Sequence, residues 1–591
     1  MKSHPQLTQI IQRRLRISEY TWLIILSLFV GLVVGAAACL FRAFIHATGR
    51  MLFLNPDPLG LMRHWGLPHV LVMPFLPALG GLVVGGLLYG VLRLEGGHGV
   101  PAVIKSVATG VMSFRPSMAV KSATSAIIMG TGGSAGPEGP IVEIGSVIGA
   151  MVGRRLGISR ANQGILVGCG AAAGLSAVFD APIGAVFFTL ELILPYISIR
   201  IFSPVILSSV MAGVFARSVF GRNPAFQVPA ELAAGLSVSS AEVAIFSLLG
   251  VMCAFLSWLF VTLMSRGQEM FTRQQQIPLW LRPAIGGFLT GAIGLVFHPV
   301  MGEGYDFVTT LLVSRPETLL LVFLPLAKIA ATSCTLGSGG TGGVFAPAMV
   351  TGAMGGALFA RLLEVLPLNV GAPPGLFVLV GMAGVVAGML NAPLAGMFII
   401  FEVTGGNYEL LVPMGCTVAV TIVVTRRLQH QASIYTLPLL RDGFDVDALR
   451  KPDPLLRATV SDAMHTDFVT LRPEMNLLEI IALAADTEQP AFPVVGPAGD
   501  LMGVISMNDL RAVLSLQDEM GRGLIAGDIC DPHPPRLMPG STLQQASHAF
   551  AGTSAEGIPV VNPSAPKQIV GMIYRSDVFK SYKKQSAIPP F

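Results

Sequence analysis

Charge is what this sequence has least of. Asp, Glu, Lys and Arg make up 12 % of its 591 residues, about half the ~25 % of an ordinary globular chain. A shortage on that scale excludes a wholly soluble fold. Imbalance of charge is missing as well. The 38 Lys and Arg stand against 34 Asp and Glu, a net +4, which leaves no electrostatic footprint for nucleic acid. Cysteine is sparse: Cys39, Cys169, Cys253, Cys334, Cys416 and Cys530 stand apart with no CxxC spacing. That excludes a disulfide framework or a thiolate metal site, and five of the six read as small packing residues in apolar runs. The phosphate-cradling GxxxxGK[ST] is absent. No nucleophile–base pair or metal-ligand cluster marks an enzyme, so no catalytic residue, metal or required cofactor is expected. Arg13, Arg14 and Arg16 precede the first apolar run without a small-residue cleavage site. Residues 1–19 therefore read as an uncleaved N-terminus on the cytoplasmic side.

What the chain does have is apolar sequence. Hydrophobic residues reach 52 % and the mean hydropathy is +0.68. The clearest runs are Trp22–Leu40, Val70–Leu92, Ile201–Val214, Ala241–Met264, Ala284–Phe297, Leu319–Ala331 and Phe377–Leu390. Several are about 20 residues long, enough for a helix to cross a bilayer core of about 30 Å. The 67 glycines suit closely packed membrane helices. Arg426 and Arg427 follow the last run, which places the C-terminal region in the cytoplasm too and calls for an even number of crossings. The expected class is a polytopic α-helical membrane protein.

The membrane region repeats itself. With a shift of 207, KSATSAIIMGTGGSAGPEGP (Lys121–Pro140) lies over KIAATSCTLGSGGTGGVFAP (Lys328–Pro347), and seven of twenty positions coincide. With a shift of 211, FDAPIGAVFFTLEL (Phe179–Leu192) lies over LNAPLAGMFIIFEV (Leu390–Val403), matching Glu191 to Glu402. The halves run over about 20–220 and 240–430. Glycine- and proline-broken helices at matching places of two membrane halves point to a transport site near the midplane. Helices that begin inside the membrane expose free N–H groups and the positive end of their dipole. Several such ends together cradle an anion without a buried lysine. Pro140 and Pro347 suit a first helical turn. Glu138 stands where the anion would sit, so it reads as a gate that fills the cradle or leaves it. Glu143, five residues on, reads as a structural carboxylate with a polar partner. Glu191 and Glu402 read as structural carboxylates at helix ends.

These motifs resemble those of the CLC family of chloride channels and chloride/proton antiporters, over about residues 20–440. GHGVP (Gly97–Pro101) is similar to the family's GSGIP, GPEGP (Gly136–Pro140) to GREGP, and GVFAP (Gly343–Pro347) to GIFAP. Tyr435, in SIYT, stands where the family keeps its chloride-contacting tyrosine. The resemblance implies an inverted repeat, a homodimer in a lipid bilayer with one anion path per chain, and Glu138 as outer gate. It implies anion binding by His98, Gly139, Val344, Phe345 and Tyr435. His98 replaces the family's serine, which leaves the preferred anion open. Leu192 stands where the antiporters generally carry an inner proton-relaying glutamate. That favours a voltage- or pH-gated chloride channel, with a chloride/proton antiporter on the same scaffold as the alternative. A bacterial-type inner membrane is the expected location.

From Arg457 the composition turns globular. FPVV and GVISMNDL recur about 67 residues later as IPVV and GMIYRSDV, pairing Asp509 with Asp577. The tail resembles a tandem CBS pair, a cytoplasmic α/β module, over 457–515 and 523–583, after a linker at 441–456 and before a short tail at 584–591. In such pairs the aspartate binds the ribose of an adenine nucleotide, with Ser or Thr three residues earlier. Ser506 fits and Tyr574 does not. The other reading makes Asp509 and Asp577 helix N-caps in a purely structural tail. CBS pairs also occur on cation transporters, a remote third possibility. Cation binding calls for clustered intramembrane acids, and GSGGTGGVFAP has none.

Overall fold

Hydrocarbon offers no partner to a backbone N–H or C=O, so an apolar chain satisfies them within helices. The computed structural model describes residues 18–53, 72–94, 99–110, 116–194, 198–221, 228–229, 240–365, 371–429, 432–444, 455, 458–515, 523–553 and 555–586. It divides into two units, residues 1–450 and 451–591.

The first half of the membrane unit holds α1 (Glu19–Thr48), α2 (Phe75–Gly85), α3 (Gly99–Thr109), α4 (Pro116–Ala123), α5 (Ser125–Gly130), α6 (Glu138–Arg155), α7 (Arg160–Phe179), α8 (Pro182–Phe188) and α9 (Ile199–Phe220). The second holds α10 (Ser240–Arg273), α11 (Arg282–Val296), α12 (Tyr305–Val313), α13 (Thr318–Gly337), α14 (Phe345–Val365), α15 (Pro374–Leu390), α16 (Pro393–Val403) and α17 (Leu411–Leu428), and α18 (Thr436–Arg441) closes the unit. Among the described residues, eight helical stretches are long and apolar enough to cross a membrane. The shorter apolar runs Ala284–Phe297 and Phe377–Leu390 fall outside those eight. Every residue of α15 from Gly375 onward is buried, as expected of a helix apolar all round inside a protein.

Polar contacts fix which ends lie together. At one end of α1, Glu19 accepts the Asn162 amide of α7 at 2.6 Å. At the other, the Thr48 hydroxyl donates to the Ala126 carbonyl of α5 at 3.1 Å. Helix α6 therefore runs from the interior to the Glu19 face, where Arg154 and Arg155 end it. In the second half, Gly337 at the end of α13 packs on Gly267 and Gln268 of α10, and Arg441 bridges Glu269 at 2.7 Å. Helix α14 starts in the interior and runs the opposite way. The repeat is inverted.

The two halves hold each other through carboxylates. Glu402, at the end of α16, accepts the N–H groups of Ile183 and Gly184 in the first turn of α8, at 3.1 and 2.7 Å. Glu191, just after α8, accepts those of Leu394 and Ala395 in the first turn of α16, at 3.1 and 2.8 Å. Pro182 and Pro393 begin the two helices, where no N–H is needed. Asp180 and Asn391 precede them with φ of 54° each, a left-handed conformation that these short polar residues tolerate. Phe187 stacks on Phe398 at 4.8 Å across the same axis.

The second unit is a doubled α/β fold. Its first repeat packs α19 (Leu477–Ala485), β1 (Ala491–Val495), β2 (Leu501–Ser506) and α20 (Met507–Ser515). After α21 (Ala526–Ile529), the second packs α22 (Leu543–Ala551), β3 (Gly557–Asn562), β4 (Ala565–Tyr574) and α23 (Arg575–Ser586). Each strand pair is antiparallel, with Ala491 opposite Ser506 and Gly557 opposite Tyr574. Ala491, Leu501, Val504, Val561, Met572 and Tyr574 form one apolar cluster between the repeats.

Removing either cross-half carboxylate leaves two helix-end N–H groups without a partner. At ~1–3 kcal/mol for a buried unsatisfied donor, Glu191→Ala and Glu402→Ala should each cost about 2 kcal/mol or more, and the Gln variants less. Thermal unfolding in detergent measures this; an unchanged midpoint for both Ala variants would refute the clamp.

Candidate functional site

Where the inverted halves meet, two chains touch through glycine. Gly136 donates to the Gly343 carbonyl at 2.9 Å, and Gly343 donates to the Gly136 carbonyl at 2.7 Å. This one antiparallel bridge sits directly before the first turns of α6 and α14. Two helix N-termini thus meet nearly head to head inside the protein, each with free N–H groups and a positive dipole end. Gly132 and Gly339, 207 residues apart, hold φ of 91° and 97°. The tight turn into each broken helix needs that conformation, which glycine adopts without strain.

Glu138 fills the meeting point. It is fully buried, and its Oε1 accepts the Phe345 N–H, the first of α14, at 2.5 Å. The N–H groups of Glu138 itself and of Ala346 also bear on the carboxylate. Its Oε2 has no protein partner. Side chains are kept away: a Cβ at Gly136 or Gly343 would overlap the Glu138 carboxylate. The structure therefore brings Glu138, Gly139, Val344 and Phe345 to one spot. Tyr435 is buried, its hydroxyl is unpartnered, and Glu138 acts on it electrostatically. The Phe188 ring meets the Tyr435 ring edge-on at 6.4 Å. An unpartnered buried hydroxyl near two positive helix ends is a donor waiting for an acceptor. His98 lies outside the described residues; the next residue, Gly99, begins α3 and packs against Glu143.

Leu192 is 2 % exposed in a π-helical turn, Thr189–Ile193, directly after α8. It is apolar and packed. Glu191 and Glu402 lie at the ends of their own helices, as expected, and each also caps a helix of the opposite half. Glu143 has its expected polar partner, the Ser122 hydroxyl of α4. Sequence reasoning expected a polar partner without identifying Ser122, and it missed Lys328. The Lys328 ammonium is buried and donates to the carbonyls of Val300 and Gly302 at 3.0 and 2.9 Å. The coincidence of Lys121 with Lys328 in the repeat was the available signal.

In the tail, Asp509 and Asp577 occupy the third position of α20 and α23, not the N-cap. Asp509 accepts the Ser506 N–H and hydroxyl at 2.8 and 2.6 Å. Asp577 accepts the Tyr574 N–H at 3.1 Å and faces His465 Nε2 at 3.2 Å. Each reaches back to the residue just before its helix, the acidic arm of a capping box. Burial first, then the Asp577 carboxylate, pushes the Tyr574 hydroxyl up to about 12, so Tyr574 stays neutral. Asp577 is thus held by its own backbone and by His465, and Tyr574 stands where Ser506 stands in the first repeat. A cavity of about 600 Å³ lies elsewhere, between Gly499–Asp500 and Ala565–Gln568.

Comparison with known proteins places these features. The voltage gated chloride channel family model matches residues 80–426, and the CBS domain model matches 460–516 and 526–584. A ClcB-like chloride channel protein of Ralstonia nicotianae is 31 % identical over 383 residues, covering 64 % of this chain and 87 % of that protein. A slow cyanobacterial Cl⁻/H⁺ antiporter has a similar fold, with TM-score 0.62 and 22 % identity over 74 % of this chain and 99 % of that one. A eukaryotic CLC transporter gives 0.60 and 20 % over 94 % of this chain and 97 % of that one.

The glycine bridge makes a sharp test. An added Cβ at Gly343 also comes within 2.8 Å of the Gly139 nitrogen, whereas one at Gly139 meets Gly343 Cα at 3.2 Å. Gly343→Ala should abolish monodisperse protein even with Glu138→Ala, while Gly139→Ala should keep a folded fraction. Equal yields of the two would contradict the head-to-head packing.

Proposed function

The chain belongs to the voltage-gated chloride channel family, and on that premise we propose that chloride crosses where α6 meets α14, with the Glu138 carboxylate as gate. One observation carries the reading. Glu138 Oε1 takes the Phe345 N–H, a donor that a chloride ion in the cradle would need. A carboxylate and an anion compete for the same helix ends, so chloride enters only when Glu138 is protonated or has swung away. The cradle is built from one chain, so a homodimer carries two pathways. Arg154 and Arg155 end α6 on the Glu19 face, which supports that face as cytoplasmic.

The uncoupled reading rests on Leu192. A proton crossing hydrocarbon needs a titratable relay, and at the usual inner position this chain has a buried leucine. Chloride moving past it drags no proton by that route. The antiporter reading is kept alive by a different acid, Glu143, on the Glu19 side of the gate.

Purified protein in liposomes, with chloride and proton fluxes recorded together, tests both. Glu138→Ala should conduct chloride without dependence on pH at the Thr48 face; a steep profile that survives the substitution removes Glu138 as gate. Uphill proton movement in step with chloride, in the unaltered chain, overturns the channel reading.

Tyr435→Phe should leave thermal stability within about 0.5 kcal/mol, because the lost hydroxyl has no protein partner. Chloride affinity should fall by roughly tenfold, the worth of one hydrogen bond to a charged group at ~1.5 kcal/mol. A large drop in stability with unchanged affinity would take the hydroxyl out of the pathway.

A further inference from the structure

Glu143 is a buried carboxylate that the gate does not use. It stands five residues beyond Glu138 on α6, ~7.5 Å of rise toward the Glu19 face, and is 1 % exposed. One oxygen accepts the Ser122 hydroxyl. The other, Oε1, has no protein partner. A carboxylate kept only for structure in so dry a place would be satisfied on both oxygens, because each unmatched one costs desolvation energy. Its counterpart in the second half is Val350, so the scaffold packs at this point without an acid. Ser146, one turn further on the same face, is also fully buried with an unpartnered hydroxyl. Gly99, at the start of α3, packs so closely that a Cβ there would strike the Glu143 side chain. Glu143 thus borders the inner part of the pathway, between the cradle and the arginines at the end of α6.

The helices packed on α6 are α1, α3, α4, α7 and α14. Lys121 of α4 is the charge that acts on Glu143. Lys105 of α3 faces the Phe444 ring, and Glu19 of α1 is bound by Asn162. Arg160 begins α7 at the Glu19 face, and Arg42 of α1 covers Phe220 near the opposite one. On α14, Arg361 pairs with Glu364 at 2.6 Å.

We propose that Glu143 is the station through which protons from the Glu19 face reach Glu138, the task for which Leu192 has no titratable group. A proton leaves hydronium on that face and forms an O–H bond at Glu143 Oε1. It then passes to the Glu138 carboxylate, and Glu143 returns to its ionised form. No electron moves. The ~7.5 Å step exceeds one hydrogen bond, so intervening water carries it. This deepens the gate reading and rests on it.

The test uses the full-length chain in excised membrane patches, with the pH of each face set separately. In the unaltered chain, chloride flux should follow pH at both faces, changing about tenfold per unit along the limb of a single titration. Glu143→Gln should flatten the Glu19-face profile and keep the Thr48-face profile; Glu143→Asp should restore it. Ser122→Ala, which takes away one donor and no acid, should shift the Glu19-face midpoint alone and serves if Glu143→Gln does not fold. Any proton flux measured in the unaltered chain should fall by ~100-fold in Glu143→Gln. An unchanged Glu19-face profile in well-folded Glu143→Gln, or in Ser122→Ala where that stands in, overturns the proposal. Glu138→Ala separates the two readings: if it keeps both profiles, the gate has failed; if it loses them while Glu143→Gln keeps them, only the station has failed.

Discussion

Two positive helix ends are held face to face in a dry interior, and the rest of the membrane unit follows from that arrangement. The contact is two hydrogen bonds between Gly136 and Gly343, made where no side chain fits. Partial charges of about +0.5 at each N-terminus repel one another unless something negative lies between them. Glu138 is that negative charge. The structure places it on one helix with its oxygen on the first N–H of the other, so α6 and α14 are joined by their own counter-ion. Whatever displaces the carboxylate must be an anion of comparable size. A binding site and its occupant are built from the same few residues.

Holding that contact needs rigidity on both sides, and a charge-poor chain supplies it with very few charges. Glu191 and Glu402 each reach across to cap the other half's short helix. That couples the halves more firmly than apolar packing in lipid, where association has no hydrophobic driving force. Lys328 spends its ammonium on two carbonyls of the loop before α12. Ser122 and Lys121 attend Glu143. The carboxylates of Glu138, Glu143, Glu191 and Glu402 are answered by backbone ends or a short polar side chain, and among the buried oxygens left unanswered are one on Glu138, one on Glu143 and one on Tyr435. Unpartnered polar atoms in such a place mark where ions and protons are handled.

Much of this was legible in the chain, for physical reasons. Composition and run length announce membrane helices because hydrocarbon tolerates little else. The glycine spacing announces broken helices because only glycine takes the required backbone angles and allows the close approach. The repeat announces the inverted scaffold through matched positions. What sequence did not yield is partnership at long range. Glu191 and Glu402 were recognisable as structural acids, but nothing in one strand of text says that each caps the opposite half. Ser122 lies 21 residues from Glu143, a separation with no periodicity to betray it. Asp509 and Asp577 were placed at the cap because acids favour helix starts, yet the third position serves the same N–H from inside the helix. Phe377–Leu390 has the hydropathy of a lipid-facing span and is buried on every side; hydropathy cannot tell lipid from protein.

The repeat also says where to look for function, because a symmetric scaffold cannot by itself tell the two membrane faces apart. Glu138 corresponds to Phe345, the residue whose N–H it takes, and Glu143 to Val350. Leu192 corresponds to Val403, both apolar, so neither half carries a second acid at that step. The conserved part of the duplication builds helix ends, caps and the glycine bridge, equal on both sides. On α6 two acids, Glu138 and Glu143, lead from the cradle toward the Glu19 face with no counterpart on α14, and Glu303, just before α12, adds a further acid whose charge acts on Glu138. Direction in this molecule is therefore a property of the broken symmetry. A proton arriving from the Glu19 face meets Glu143 and then Glu138 along one helix, whereas the matching path along α14 offers Phe345 and Val350, which bind no proton.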